Sequence, residues 1–148
     1  MTSLSGELST VRAYISIEKE RFINRLKVEY DIDETIDLSI PVLAIQPLVE
    51  NALRHGILKK SEGCTLSLSI ERRDEYVVIT VQDNGIGIPS AKLPDLFLRE
   101  GTRAGVGLKN IQRRLMLYYG QGLEVRSIEG QGTTVIMKIP NSKRGNVL

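Results

Sequence analysis

A carboxylate and two glycines end an apolar run in this chain. EYVVITV (residues 75–81) has the composition of a buried strand, and it is followed by QDNGIGIP, with Asp83 ahead of Gly85 and Gly87. An acid there is a hydrogen-bond acceptor, and the glycines let the backbone turn and approach a ligand closely. An Asx turn or a helix cap is the plain structural reading of such an aspartate. A second pair, Gly105 and Gly107 in GVGL, leads into a helical pattern. The N–H groups of a helix start favour an anion such as phosphate. A third group lies in QPLVENALRHG, where Asn51 and His55 share one helix face and Glu50 and Arg54 a neighbouring one. An Asn amide oxygen is a neutral, hard ligand that suits Mg²⁺ when phosphates and waters supply the other oxygens. Arg54 and His55 have the reach for phosphate. Equally, Glu50–Arg54 reads as an i,i+4 surface pair and His55 as a helix-end residue.

These groups need elements to hold them. Leu8, Val11, Ile15 and Phe22 give a helix over about 7–24, and Leu26, Val28, Tyr30 and Ile32 alternate as a strand. A second helix is expected from Pro41, near the cap candidate Ser39, to His55, ended by Gly56 and kinked at Pro47. Cys64–Arg72 and Tyr76–Gln82 read as a hairpin, and Lys92–Leu98 as one weak helical turn. Leu108, Ile111, Leu115 and Tyr118 mark a third helix closed by Gly120, before strands at 123–128 and 133–139 around EGQG. The sum is a mixed, largely antiparallel sheet with helices on one face. Of the 13 glycines, eight form G-x-G pairs at 85/87, 105/107, 120/122 and 130/132. The last two pairs read as turns.

Composition removes several function classes. With 148 residues, 41% hydrophobic and 26% charged, one domain with its own core is expected. A net charge of +2 and 5% aromatic residues without tryptophan argue against nucleic-acid binding. Cys64 is the single cysteine, so no internal disulfide forms. No apolar run reaches the ~20 residues of a membrane span, and MTSLSGEL does not read as a signal peptide. There is no Gly-Lys dipeptide and no G-x-G-x-x-G, so P-loop and dinucleotide fingerprints are missing.

Four blocks stand in order: LVENALRHG, DNGIGIP, GVGLKN and GTTVIMKIP. Together they resemble the N, G1, G2 and G3 boxes of the GHKL superfamily, the nucleotide-binding domains of sensor histidine kinases, DNA gyrase B, MutL and related heat-shock chaperones. The resemblance covers about residues 40–140. QPLVENALRHG, the short G1–G2 interval, GLKNIQRRLMLYYG and the preceding VRAYISIEKERF are similar to LytS-type sensor histidine kinases.

That resemblance implies a Bergerat fold: an α/β (α+β) two-layer sandwich, with a mixed, mostly antiparallel sheet of about five strands and three main helices on one face. It implies that ATP and Mg²⁺ bind. Asp83 would accept a hydrogen bond from the exocyclic amine of adenine, with Gly85 and Gly87 turning the chain under the base. Asn51 would ligate Mg²⁺, with Arg54 and His55 near phosphate. Gly105, Gly107 and, in the same block, Leu108 would lie by the triphosphate. Thr133, in preference to Thr134, would help hold adenine through a water. Residues 90–106 would form a lid, with Arg99 and Arg103 as candidate phosphate contacts or plain solvated arginines.

Two departures matter. Gyrase-like ATPases place a water-activating glutamate four residues before the asparagine, where this chain has Pro47. Glu50 projects about 100° away and is at most an accessory, so no catalytic residue is assigned and hydrolysis is expected to be weak. The box around Phe97 is reduced to LPDLFLREG. The only histidine, His55, sits in the ATP-site helix, so the phosphoacceptor is expected in a dimerisation segment outside the chain. Residues 1–24 then form a helical junction to that segment, 25–140 the catalytic domain and 141–148 a frayed tail. The parent is expected to be a membrane-anchored homodimer with a response regulator downstream, and this part cytoplasmic. A serine/threonine kinase of the anti-sigma-factor type, a gyrase- or MutL-like ATPase and a nucleotide sensor are the alternatives.

Overall fold

Strand alternation builds one apolar face. The computed structural model describes residues 1–56, 63–92 and 103–141, with backbone alone at 55, 56 and 103–106. In β4 (Cys64–Arg73) every second residue from Cys64 to Ile70 is buried, and in β7 (Gly132–Pro140) Thr133, Val135, Met137 and Ile139 are buried. In β5 (Tyr76–Asp83) the buried set is Val77, Ile79, Val81 and Asp83, together with Val78. The antiparallel registers align them in rows: Ile70–Ile79–Met137, then Leu68–Val81–Val135. β2 (Leu26–Ile32) joins β4 in parallel at one edge, and β6 (Glu124–Ile128) joins β7 at the other, giving the order β2-β4-β5-β7-β6. The sheet is therefore mixed and mostly antiparallel, as expected.

Three helices cover that face. α1 (Leu4–Arg21) contributes Leu4, Leu8, Val11 and Ile15 to the core, α2 (Gln46–Gly56) Leu48, Val49, Ala52 and Leu53, and α3 (Arg103–Tyr119) Leu108, Ile111 and Leu115. α1 begins earlier than expected because Ser3 Oγ caps it, accepting from the Gly6 N–H at 3.1 Å. Gly120, at φ +74, closes α3, its N–H donating to the Met116 carbonyl at 3.0 Å. No described helix is long and apolar enough to cross a membrane.

The second helix departs from expectation. It begins at Gln46, not Pro41, because Ser39–Ile40 (β3) pair with Thr2–Ser3 (β1) in a short antiparallel ladder. Pro47 therefore lies in the first helical turn and not inside the helix as expected; its missing N–H has no intrahelical partner to lose, and no helical turn precedes it to be bent. The helix start is instead set from α1. Glu7, 5% exposed, accepts hydrogen bonds from the Ile45 N–H and from the Gln46 N–H, the latter at 3.4 Å. A carboxylate at a helix N-terminus satisfies orphan donors and suits the dipole. Glu7→Ala should lower stability by about 2 kcal/mol in urea unfolding, and Glu7→Gln, which keeps an acceptor, by less. An unchanged midpoint for the alanine variant would refute this capping role.

Candidate functional site

The core-facing rows of the sheet end in polar side chains. Beyond Leu68–Val81–Val135 comes the row Leu66–Asp83–Thr133–Ser127, each residue opposite the next in register. Asp83 thus occupies the next inward position after Val81, which is why an apolar strand ends in an acid. It is 4% exposed and Thr133 2%. Asp83 Oδ1 accepts from the Gly85 N–H at 2.8 Å, so the Asx turn is real.

The turn after Asp83 is clamped to its neighbours. Asn84 Oδ1 accepts from the Thr65 N–H of β4 at 2.7 Å. The Ile88 N–H donates to Ser127 Oγ at 2.7 Å, and the Gly130 N–H to the Ile86 carbonyl at 2.6 Å. Gly87 has φ +73, and a Cβ there would sit 2.2 Å from the Ile128 carbonyl oxygen. The glycine is needed because the turn lies directly against the β6–β7 turn. The 130/132 pair, read from sequence as a simple turn, is therefore part of the same arrangement.

Asn51 lies on α2, which packs against β5, β7 and α3. It is 4% exposed, and among the described residues neither its amide oxygen nor its amide nitrogen has a hydrogen-bond partner. Orphaned buried polar atoms of this kind cost about 1–3 kcal/mol each and call for an explanation. An oxygen donor of this type fits a hard cation. Among the described residues no cluster of three or more His, Cys, Asp or Glu could hold a metal.

Gly105 and Gly107 lie inside α3, not before it as expected, since the helix already begins at Arg103. Of the four N–H groups without intrahelical acceptors, Gly105 supplies one. Gly107 has a packing role: its Cβ would stand 3.2 Å from Pro47 Cβ, so the glycine lets α3 approach α2 closely. Leu108 is buried in the core at 1% exposure. Glu50 and Arg54 line a groove of about 170 Å³ with Tyr14, Glu18, Arg21 and Phe22 of α1 and its C-terminal flank. Glu50 Oε1 accepts from Gln46 Nε2 at 2.9 Å, so its i,i+4 partner lies on the N-terminal side. Burial, then the Glu18 and Glu50 carboxylates, push the Tyr14 phenol above its ordinary range. The side chains of His55 and Arg103, the lid residues 93–102 with Phe97 and Arg99, the helical turn past Lys92 and the tail from 142 lie outside the described residues.

Two residues that matter here, Ser127 and Glu7, were not singled out from sequence, and a third, Gly132, was read only as a turn glycine. Ser127 bonds to Thr133, to Gly132 and to the turn after Asp83. Laying the EGQG hairpin out as a ladder places it opposite Thr133, and that would have found it. Gly132 abuts Asp83, and Glu7 caps α2 from outside every recognised block.

A family model described as histidine kinase-, DNA gyrase B-, and HSP90-like ATPase matches residues 37–143, and the chain belongs to that family. Among the curated relatives it matches are proteins named sensor histidine kinase and sensor protein LytS. The sensor protein LytS of Bacillus subtilis (strain 168) is 39% identical over 93% of this chain and 24% of its own length. YwpD of the same organism is 47% identical over 94% of this chain and 50% of its own. The histidine kinase domain from the Erythrobacter litoralis EL346 blue-light activated histidine kinase is 26% identical, with a TM-score of 0.66, over 92% of this chain and 61% of that one. The chain thus spans half or less of these two curated relatives.

Proposed function

We propose that this chain, chiefly residues 25–140, is the ATP-binding catalytic domain of a sensor histidine kinase, donating the γ-phosphoryl group of Mg·ATP to a histidine outside the chain. The observation that carries this is Asn51: a buried amide with both polar atoms unmatched among the described residues, on the helix that packs against the sheet and against α3. Bound Mg²⁺ supplies charge neutralisation on the phosphates. Asn51 Oδ1 supplies a neutral oxygen to the ion. Asp83 and Thr133 hold the adenine edge, Gly85 and Gly87 bring backbone beneath it, and the first N–H groups of α3, Gly105 included, face the triphosphate. Arg54 and His55 are the nearby cationic candidates. The chain's contribution is positioning and charge stabilisation, while the nucleophile comes from the phosphoacceptor domain of a homodimeric parent. The parent passes the phosphoryl group to a response regulator, and this domain works on the cytoplasmic side of a membrane-anchored protein. Pro47 stands where a water-activating acid would be needed, so hydrolysis is slow.

Titration calorimetry with ATP, with and without Mg²⁺, tests the metal assignment. Mg²⁺ should strengthen ATP binding to the wild type, and Asn51→Ala should lose about tenfold of that gain. A variant that keeps the full magnesium effect removes Asn51 from the metal site.

A further inference from the structure

The chain enters α2 through an unusual backbone turn. Leu43 has φ +55, in the left-handed region that residues with a side chain avoid. Its own side chain does not compensate, being 52% exposed. Ala44 and Ile45, which follow, are fully buried, so the turn at Leu43 carries the chain from the surface into the core just ahead of Gln46. Such a conformation persists only where the surroundings hold it. Arg114 of α3 does so. Its guanidinium donates to the Val42 carbonyl and, at 3.2 Å, to the Leu43 carbonyl. Carbonyls on consecutive residues suit the planar fork of an arginine. From the other side, the Glu7 carboxylate takes the Ile45 and Gln46 N–H groups. The entry to α2 is thus held by its acceptors from α3 and by its donors from α1. Asn51 stands little more than one turn beyond Gln46.

We infer that Arg114 is a positioning residue for the metal site: by holding Leu43 in its left-handed turn, it fixes the start of α2 and thereby where Asn51 presents its amide oxygen. This rests on the Mg²⁺ reading of Asn51. Arg114 acts through the helix, not by contact with nucleotide or metal. Asp83 and Thr133 are placed instead by the register of β5 on β7, which does not involve the entry to α2. The base end and the metal end of the site can therefore be read separately.

Calorimetry gives the factor by which Mg²⁺ strengthens ATP binding, and adenosine, which has no phosphates, reads the base end alone. Arg114→Ala should lose about fivefold of the Mg²⁺ factor, less than Asn51→Ala, and leave adenosine affinity unchanged. Arg114→Lys keeps the charge without the fork and should lose less. Adding Leu43→Gly to Arg114→Ala should restore most of the factor, because glycine adopts the left-handed turn without being held. A Mg²⁺ factor unchanged in Arg114→Ala overturns the inference. Adenosine weakened as much as Mg·ATP, or no recovery on adding Leu43→Gly, shows a merely structural role and overturns it too. If Arg114→Ala melts below the assay temperature, Arg114→Lys with and without Leu43→Gly decides by the same readings. A wild type without a Mg²⁺ effect, or an Asn51→Ala variant with the full one, defeats the metal reading itself.

Discussion

Asp83→Ala should weaken ATP binding about 100-fold while the chain stays folded, as read by calorimetry alongside a thermal melt. A hydrogen bond to a charged group contributes about 1.5–3 kcal/mol, and in a buried site the donor amine of the base would be left unmatched as well. Asp83 is 4% exposed, and its turn is also held by Asn84 to Thr65, Ile88 to Ser127 and Gly130 to Ile86. Loss of the Oδ1 bond to the Gly85 N–H should therefore loosen the turn without releasing it. Asp83→Asn separates charge from shape. It keeps an acceptor oxygen but adds an NH₂ donor, and should fall between wild type and alanine for ATP. If Asp83→Ala binds ATP as tightly as wild type, the aspartate is only a turn residue.

Gly132→Ala should cost about 3 kcal/mol or more, lowering the melting temperature by about 10 °C. Gly132 has φ +131, which side-chain-bearing residues rarely adopt. Its added Cβ would lie 2.0 Å from the Asp83 carbonyl oxygen and 2.8 Å from Asn84 Cα. Both are backbone atoms, so relief requires β5 and β7 to part where the polar row is formed. Gly130→Ala is the control. It too has positive φ, at +85, but a Cβ there meets nothing within 4 Å. It should cost only about 1 kcal/mol. Equal melting temperatures for the two variants would show that the close approach to Asp83 does not limit stability.

The sheet was legible because its alternation is clean. The inward positions of β4, β5 and β7 can be read off CTLSLSI, YVVITVQD and GTTVIMKI, including the inward placement of Asp83 and Thr133. α1 and α3 were legible from their apolar spacing and from Gly120. The start of α2 was not, because it depends on a pairing between residues 2–3 and 39–40 and on a carboxylate 38 positions away in sequence. Such long-range contacts leave no local periodicity. The same holds for the Gly107–Pro47 and Gly132–Asp83 approaches, where spacing shows a glycine but not the neighbour that demands it. Ser127 is the intermediate case. Its partner Thr133 follows from hairpin register alone, whereas its bond from the Ile88 N–H depends on the path of the turn after Asp83.

The most direct measurement is a crystal structure with Mg²⁺ and a non-hydrolysable ATP analogue. The amino group of the base should lie within hydrogen-bond distance of the Asp83 carboxylate beside Thr133, and the cation against Asn51 Oδ1. A base seated away from Asp83 and Thr133, with Asn51 still unpartnered, would contradict the site described above.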